Sequence, residues 1–225
     1  MDQTYSPADW HRCFQAMAPL LGGPPDTTQQ ERLQRFVTHL LTWNQHFNLI
    51  GPAAVTSLLD RHILDSLTLM PLLPADTKIA DMGSGAGFPG LILAILSDAS
   101  RTFHLYEATQ KKAGFLNFVA TELQLNTYVT IFPTRVEQSP HPRHYDIVTS
   151  RAVAELNTLA KLAYPLLRPD GVSLALKGKG ALEEIERFLH TPLARHFTAP
   201  HILPAGDGVI VRMQKVSRET RPTTP

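Results

Sequence analysis

A chain of 225 residues with 43% apolar content can bury one α/β core plus an extension, whereas two equal domains would be cramped. The lone Cys13 excludes an internal disulfide framework and a multi-cysteine metal site, and the opening "MDQTYSPADW" lacks the basic and apolar stretches of a signal peptide, so a cytoplasmic location is expected. Net charge is only +1, but residues 1–107 carry 6 Lys/Arg against 10 Asp/Glu and residues 108–225 carry 15 against 10, a positive half that could gather a polyanion.

Ser6-Pro7 reads as the N-cap and first residue of a helix, which "GGPP" at Gly22 to Pro25 ends. Thr28 with Glu31 three residues on reads as a capping box, and Leu33, Phe36, Val37, Leu40 and Leu41 then recur at helical spacing. A third helical pattern runs roughly from Val55 to Leu69, ahead of Pro71 and Pro74. Residues 1–74 are therefore expected to form a helical extension packed on the rest of the chain. From Thr77, β-prone runs alternate with helical patterns: "TKIADM" then Leu91 to Leu96, "TFHLYE" then Lys112 to Leu123, "TYVTIF", "YDIVTS" then Leu156 to Leu167, and "GVSLALK" then Leu182 to Leu189. Such alternation implies a mainly parallel sheet with helices on both faces. Two last β-prone runs, His201 to Leu203 and Val209 to Met213, are joined only by "PAGDG" and imply a closing antiparallel hairpin, for seven strands in all. This domain is expected over residues 75–215, with 216–225 a mobile tail. The longest apolar run after Gly90, Leu91 to Leu96, falls far short of the roughly 20 residues that span a bilayer, so no membrane association is expected.

The stretch "DMGSGAGFPG", Asp81 to Gly90, comes directly after the first strand and satisfies two nucleotide fingerprints. Gly85, Gly87 and Gly90 make a G-x-G-x-x-G, which suggests NAD; Asp81 followed by Gly83, Gly85 and Gly87 suggests S-adenosylmethionine. In an open α/β sheet this loop lies where ligands bind, and glycine lets backbone approach a ligand closely. Glu107, 22 residues after Gly85, could accept ribose hydroxyls in either case. Three features favour S-adenosylmethionine: the Asp81 carboxylate would repel a pyrophosphate and welcome a cationic ligand, the closing hairpin is regular in Rossmann-like methyltransferases, and the chain has no substrate domain of dehydrogenase size.

"WNQHFNLIG" (Trp43 to Gly51), "RHILDSL" (Arg61 to Leu67), "DMGSGAGFPG", "RVEQ" (Arg135 to Gln138), "SRAVAEL" (Ser150 to Leu156) and "LKGKG" (Leu176 to Gly180) occur in this order. Together they resemble the ribosomal small-subunit methyltransferase G family, also called glucose-inhibited division protein B. The resemblance implies a class I S-adenosylmethionine-dependent methyltransferase fold. It also implies methylation of N7 of one guanine of 16S rRNA in the small ribosomal subunit, position 527 in the usual bacterial count. Carried over by position, Asp81, Gly83, Gly85, Gly87 and Phe88 would form the cofactor loop, with Glu107 on the ribose. Val136 and Glu137 would flank the adenine, and Arg151 would reach both cofactor and reaction as the catalytic residue. Lys111 and Lys177 resemble basic positions facing the RNA, and Arg61 and His62 would border the site with Asp65 and Ser66. The family's last strand commonly opens with Glu-Arg; here Gly208 is followed by Val209, so a phosphate contact would move to Arg212 or be absent.

Guanine N7 carries no proton, so its methylation needs alignment and exclusion of water rather than a general base. "SRAVAEL" accordingly has neither the Asn/Asp-Pro-Pro-aromatic motif used on exocyclic amines nor a Pro-Cys nucleophile. His141 and His144 have an H-x-x-H spacing without a nearby third ligand, so no metal is expected. Trp43 and Phe47 read as core contacts more than as a base-stacking platform, and Cys13 as structural. The alternatives are a small-molecule methyltransferase and a non-catalytic RNA-binding protein that keeps the cofactor fold.

Overall fold

The computed structural model describes residues 5–217. Most of the expected tail lies outside them. Helix α1 (Pro7–Leu21) starts on a Ser6–Asp9 capping box and stops at Gly22, whose φ of 78° is left-handed. Helix α2 (Thr27–Phe47) is capped by Asp26 with Gln29 rather than by Thr28 with Glu31. The Asp26 carboxylate accepts the Gln29 N–H and the Gln29 side chain returns to the Asp26 N–H, so the helix begins as soon as Pro24-Pro25 allows.

The third helical pattern is broken into pieces. A short α3 (Pro52–Thr56) leads into a π-helical turn (Leu58–Ile63), then α4 (Leu64–Leu67) and a 3-10 turn (Met70–Leu72). The wide turn buries Leu58, Leu59 and Ile63 while Arg61 stays exposed and His62 half-buried. Local departures of this kind often mark functional segments.

The sheet has seven strands: β1 (Lys78–Met82), β2 (Thr102–Tyr106), β3 (Val129–Phe132), β4 (Tyr145–Arg151), β5 (Leu167–Lys177), β6 (His201–Ala205) and β7 (Gly208–Gln214). They run in the order β3-β2-β1-β4-β5-β7-β6, parallel except for β7, which is antiparallel between β5 and β6. Strand order reverses between β1 and β4, which puts the ligand crevice beyond their carboxyl ends. β5 starts four residues earlier than Gly171, because Tyr145 pairs with Leu167 before a bulge and Ile147 with Val172 after it. The hairpin turn shrinks to Gly206 and Asp207, since Pro204 and Ala205 pair with Val209 and Gly208; Pro204 is tolerated on an edge strand.

Helices α5 (Gly90–Leu96) and α6 (Gln110–Glu122) pack with α1, α2 and α4 on one face, and α7 (Leu156–Leu166) and α8 (Ala181–Leu189) cover the other. All seven residues of α5 are buried, as its unbroken apolar run requires. Met17, Leu33, Phe36 and Leu40 of the extension share a single buried cluster with Leu91, Ile95 and Leu105, so the extension and the sheet are built on one core. Among the described residues no helix is long and apolar enough to cross a membrane.

Candidate active site

The glycine loop is fastened from below and from one side. The N–H groups of Gly83 and Ser84 both donate to the Tyr106 carbonyl, at 2.9 and 3.0 Å, tying the end of β1 to the end of β2. Gly85 N–H donates to Glu107 Oε2 at 2.9 Å, and Thr109 N–H donates to Glu107 Oε1 at 2.7 Å. A carboxylate has about four acceptor sites, so each Glu107 oxygen keeps a lone pair for another donor.

Asp81 is fully buried, a correction to its expected place facing the ligand. Its Oδ2 accepts the Gly90 N–H at 3.0 Å and its Oδ1 the Thr149 hydroxyl at 3.0 Å. Register explains the second bond, because Asp81 and Thr149 are partners across β1 and β4. Burial pushes this carboxyl up to about 6; the hydrogen bonds from Gly90 and Thr149 pull it down and the nearby Glu107 charge adds to the rise. Asp81 holds the loop in shape from beneath, with both carboxylate oxygens engaged within the protein.

The glycines divide the work. A Cβ on Gly83 would stand 2.8 Å from Val153, and one on Gly87 would press on Leu91 and Phe36 at 3.1 to 3.4 Å, so both are small for packing. A Cβ on Gly90 would meet Asp81 Oδ2 at 2.6 Å; its crowding was hidden in the sequence, where it is one glycine among several. Gly85 differs. At φ 57° its bare face meets nothing nearer than the Gly83 carbonyl at 3.9 Å and looks onto open space. Beyond β3, Val136 is buried and Glu137 exposed on a 3-10 turn (Val136–Gln138).

Phe88 joins this loop to a second site. Its ring, 8% exposed, packs on Phe36 of α2 and on His62, with centroids 5.8 and 5.5 Å away, and the Arg151 guanidinium lies 5.9 Å from its centroid. Arg151, at the end of β4, donates to the His62 carbonyl at 3.2 Å and faces Asp65 at 3.5 Å. Burial, with Arg151 and Arg61 adding to it, pushes His62 down to about 4, so the ring is neutral at neutral pH. Arg151 and Asp65 open into a cleft of about 700 Å³ whose other charged walls are Arg61, Lys177, Lys179, Glu184 and Asp207.

Of the expected RNA-facing residues, Arg61 lies on the rim, paired with Asp207 at 3.4 Å. Lys177 lines the cleft but is committed to structure, a correction to its expected role. Its Nζ lies 2.7 Å from Glu184 Oε2, donates to the Ala154 carbonyl at 2.8 Å, and leaves the side chain 10% exposed. Lys179 lines the same wall with no ion pair among the described residues, and "LKGKG" holds both lysines. Lys111 is exposed in the first turn of α6, with Nζ 5.9 Å from the Phe47 centroid, on the β2 side of the loop and away from this cleft. Trp43 packs against Phe115 in the core as expected, whereas Phe47 is a surface ring, 42% exposed.

At Gly208, where the family's Glu-Arg is missing, a Cβ would overlap the Lys177 carbonyl, so no side chain fits there. Arg212 pairs with Leu174 in the middle of the sheet and does not line the cleft, so it does not replace a contact there. His141 and His144 do meet a third histidine, His104, at 5.4 and 6.0 Å between centroids, but as packed rings. Among the described residues no group of three or more His, Cys, Asp or Glu is placed to hold a metal ion. Cys13 is buried and its thiol pushed up to about 12 by burial, with Asp60 adding to the shift, so it is inert.

Residues 29–204 match the family described as rRNA small subunit methyltransferase G. The chain belongs to that family. Among its curated relatives, the ribosomal RNA small subunit methyltransferase G of Paramagnetospirillum magneticum is 38% identical over 84% of this chain and 89% of its own. That of Gluconobacter oxydans is 44% identical over 69% and 78%. Solved structures of the same fold include a SAM-dependent methyltransferase from Aquifex aeolicus, with TM-score 0.57 and 15% identity, covering 74% of this chain and all of that one. A SAM-dependent O-methyltransferase from Thermotoga maritima has TM-score 0.57 and 18% identity, over 68% and 65% of the two chains. The family's match runs from inside α2 to near the end of β6, so it takes in most of the extension and six of the seven strands and leaves out α1 and β7.

Proposed function

We propose that the protein transfers a methyl group from S-adenosylmethionine to N7 of one guanine of 16S rRNA, acting on the small ribosomal subunit in the cytoplasm. The observation that carries this reading is the packing of the glycine loop, through Phe88, against Arg151, which lines a cleft with Arg61 and Lys179. Family membership supports the same chemistry.

S-adenosylmethionine, when bound, supplies an electrophilic methyl group on a sulfonium sulfur. The residues present fit it: the bare face of Gly85 leaves room beside the loop, and Glu107 retains acceptor capacity for ribose hydroxyls. Val136 and Glu137, on the turn beyond β3, would border the adenine end. That cofactor would be the methyl donor to guanine N7, with sulfur as the leaving atom, and the chain's part would be to bring the two in line. No proton leaves N7, so positioning and exclusion of water supply the acceleration. Neutral His62 takes no proton in this scheme, and Arg151 stays charged throughout to orient the base from beside Phe88.

The test is incubation of unmodified small subunits with methyl-labelled S-adenosylmethionine, then reduction and aniline treatment of the RNA. N7-methylguanine is a fixed cation that weakens its glycosidic bond, so label and strand cut should coincide at one guanine. Label without a cut would contradict N7 as the target, and cofactor binding without label would favour a non-catalytic RNA-binding protein.

A further inference from the structure

Among the described residues, the cleft holds a sheltered carboxylate that accepts no hydrogen bond. Asp81, Glu107 and Glu184 each take backbone hydrogen bonds, and Asp207 stands on the rim with its side chain 75% exposed. Asp65 lines the cleft with its side chain 23% exposed, and among the described residues its carboxylate accepts no hydrogen bond; its ionic partner is Arg151, at 3.5 Å. The hairpin turn makes room for it, because a Cβ on Gly206 would overlap Asp65 Oδ1, and beside it Asp207 of the turn stands 3.4 Å from Arg61 of the extension.

We infer that Asp65 and Arg151 together form a guanine-reading subsite, with the Asp65 carboxylate accepting from the base N1–H and 2-amino groups and the Arg151 guanidinium donating to O6. The inference rests on the guanine-N7 reading and adds the residue that selects the base. Guanine presents an acceptor, O6, beside two donors; adenine presents a donor beside an acceptor. A guanidinium beside a carboxylate is complementary to guanine and opposed to adenine. Because N7 lies on the edge of the base remote from N1 and the 2-amino group, a guanine held this way keeps N7 free for the methyl group. Its Watson–Crick edge must be unpaired when bound, as for other enzymes that act on extruded bases.

Small subunits reconstituted with 16S RNA carrying guanine or inosine at the target test this, since inosine lacks only the 2-amino group and keeps N7. Wild-type enzyme should prefer guanine by about tenfold or more in kcat/KM, the size of a lost paired contact. In Asp65→Asn the preference should collapse to within about twofold, because the amide can no longer accept from both donors. Gly206→Ala, which crowds the carboxylate without removing it, should lower the same ratio while cofactor affinity is unchanged. If Asp65 served only to hold Arg151, both substrates would slow equally and the ratio would survive; that result, or a wild type indifferent to inosine, overturns the inference. Aniline cleavage of the wild-type guanine product separates the two failures: a cut without discrimination sinks only the role of Asp65, and no cut sinks the N7 reading as well.

Discussion

The glycine loop and the cleft beside it are built on opposite plans. In the loop every acidic group is already engaged: Asp81 and Glu107 are 0% and 7% exposed, and each accepts two donors at 2.7 to 3.0 Å. In the cleft one wall is fixed by Lys177 and Glu184 at 2.7 Å, but the pairs beside Arg151 are loose, Asp65 with Arg151 at 3.5 Å and Arg61 with Asp207 at 3.4 Å, and Lys179 has no ion pair among the described residues. A small ligand of fixed shape is served by a rigid, preformed cradle, because little ordering cost is left for binding. A large polyanion brings its own charges, so its site can leave cations weakly committed until it arrives.

The two plans predict separable failures. Gly85→Val should abolish S-adenosylhomocysteine binding in calorimetry, since it puts a branched side chain into the open face and strains a left-handed residue, while RNA affinity stays intact. Arg151→Ala should slow single-turnover methyl transfer roughly a hundredfold, the scale of a misplaced reactant, with cofactor affinity nearly unchanged. Loss of both functions in either variant would mean that the sites are not independent.

Smaller effects sharpen the RNA side. RNA affinity should fall with salt by a log-log slope of about −0.7 per phosphate contacted on a single strand. Lys179→Ala and Lys111→Ala should each flatten that slope, whereas Lys177→Ala should chiefly lower thermal stability, because its charge is paired with Glu184. A slope that changes only in Lys177→Ala would reverse this assignment.

The smallest effect concerns buried charge and pH. His62 and His104 are pushed down to about 4, chiefly by burial, from 6.5, so the unfolded chain binds protons that the folded one refuses, and their stabilising contribution is lost as pH falls from about 6.5 to 4. Asp81 works the other way: raised from 3.8 to about 6, it is stabilising below 3.8 and loses that contribution as pH rises towards 6. Between pH 6 and 4 the contributions oppose. Urea midpoints of Asp81→Asn should therefore fall more steeply with acid than those of wild type, and parallel curves would show that Asp81 is not buried as a carboxylate.

The alternation of strands and helices, the closing hairpin and the glycine loop were legible in the sequence because each rests on local spacing. What was not legible depends on partners distant in the chain. An acid at a strand tip looks the same whether it faces a ligand or lies under Thr149, which is 68 residues away. Lys177 and Lys179 are two residues apart, and only the placement of Glu184 on α8 shows which is paired. Helical periodicity over residues 55–69 could not distinguish a regular helix from one widened at Leu58–Ile63, yet that turn delivers Arg61 and Asp65 to the cleft. The Asp26 cap lies two residues before the Thr28–Glu31 pattern, which offers the same spacing of acceptor and acid and so competes with it in the sequence.

The central claim is that methyl transfer here is a matter of position and charge, with no group giving or taking a proton. Its most direct test is the single-turnover rate at saturating substrate as a function of pH, since general acid-base catalysis leaves a titration in such a profile and a neutral N7 nucleophile does not. With His62 held near 4 and Arg151 charged throughout, the rate should be nearly flat from about pH 6.5 to 8.5. A rise of about tenfold through a single pKa in that range would contradict the account and point to an exocyclic or ring-carbon target.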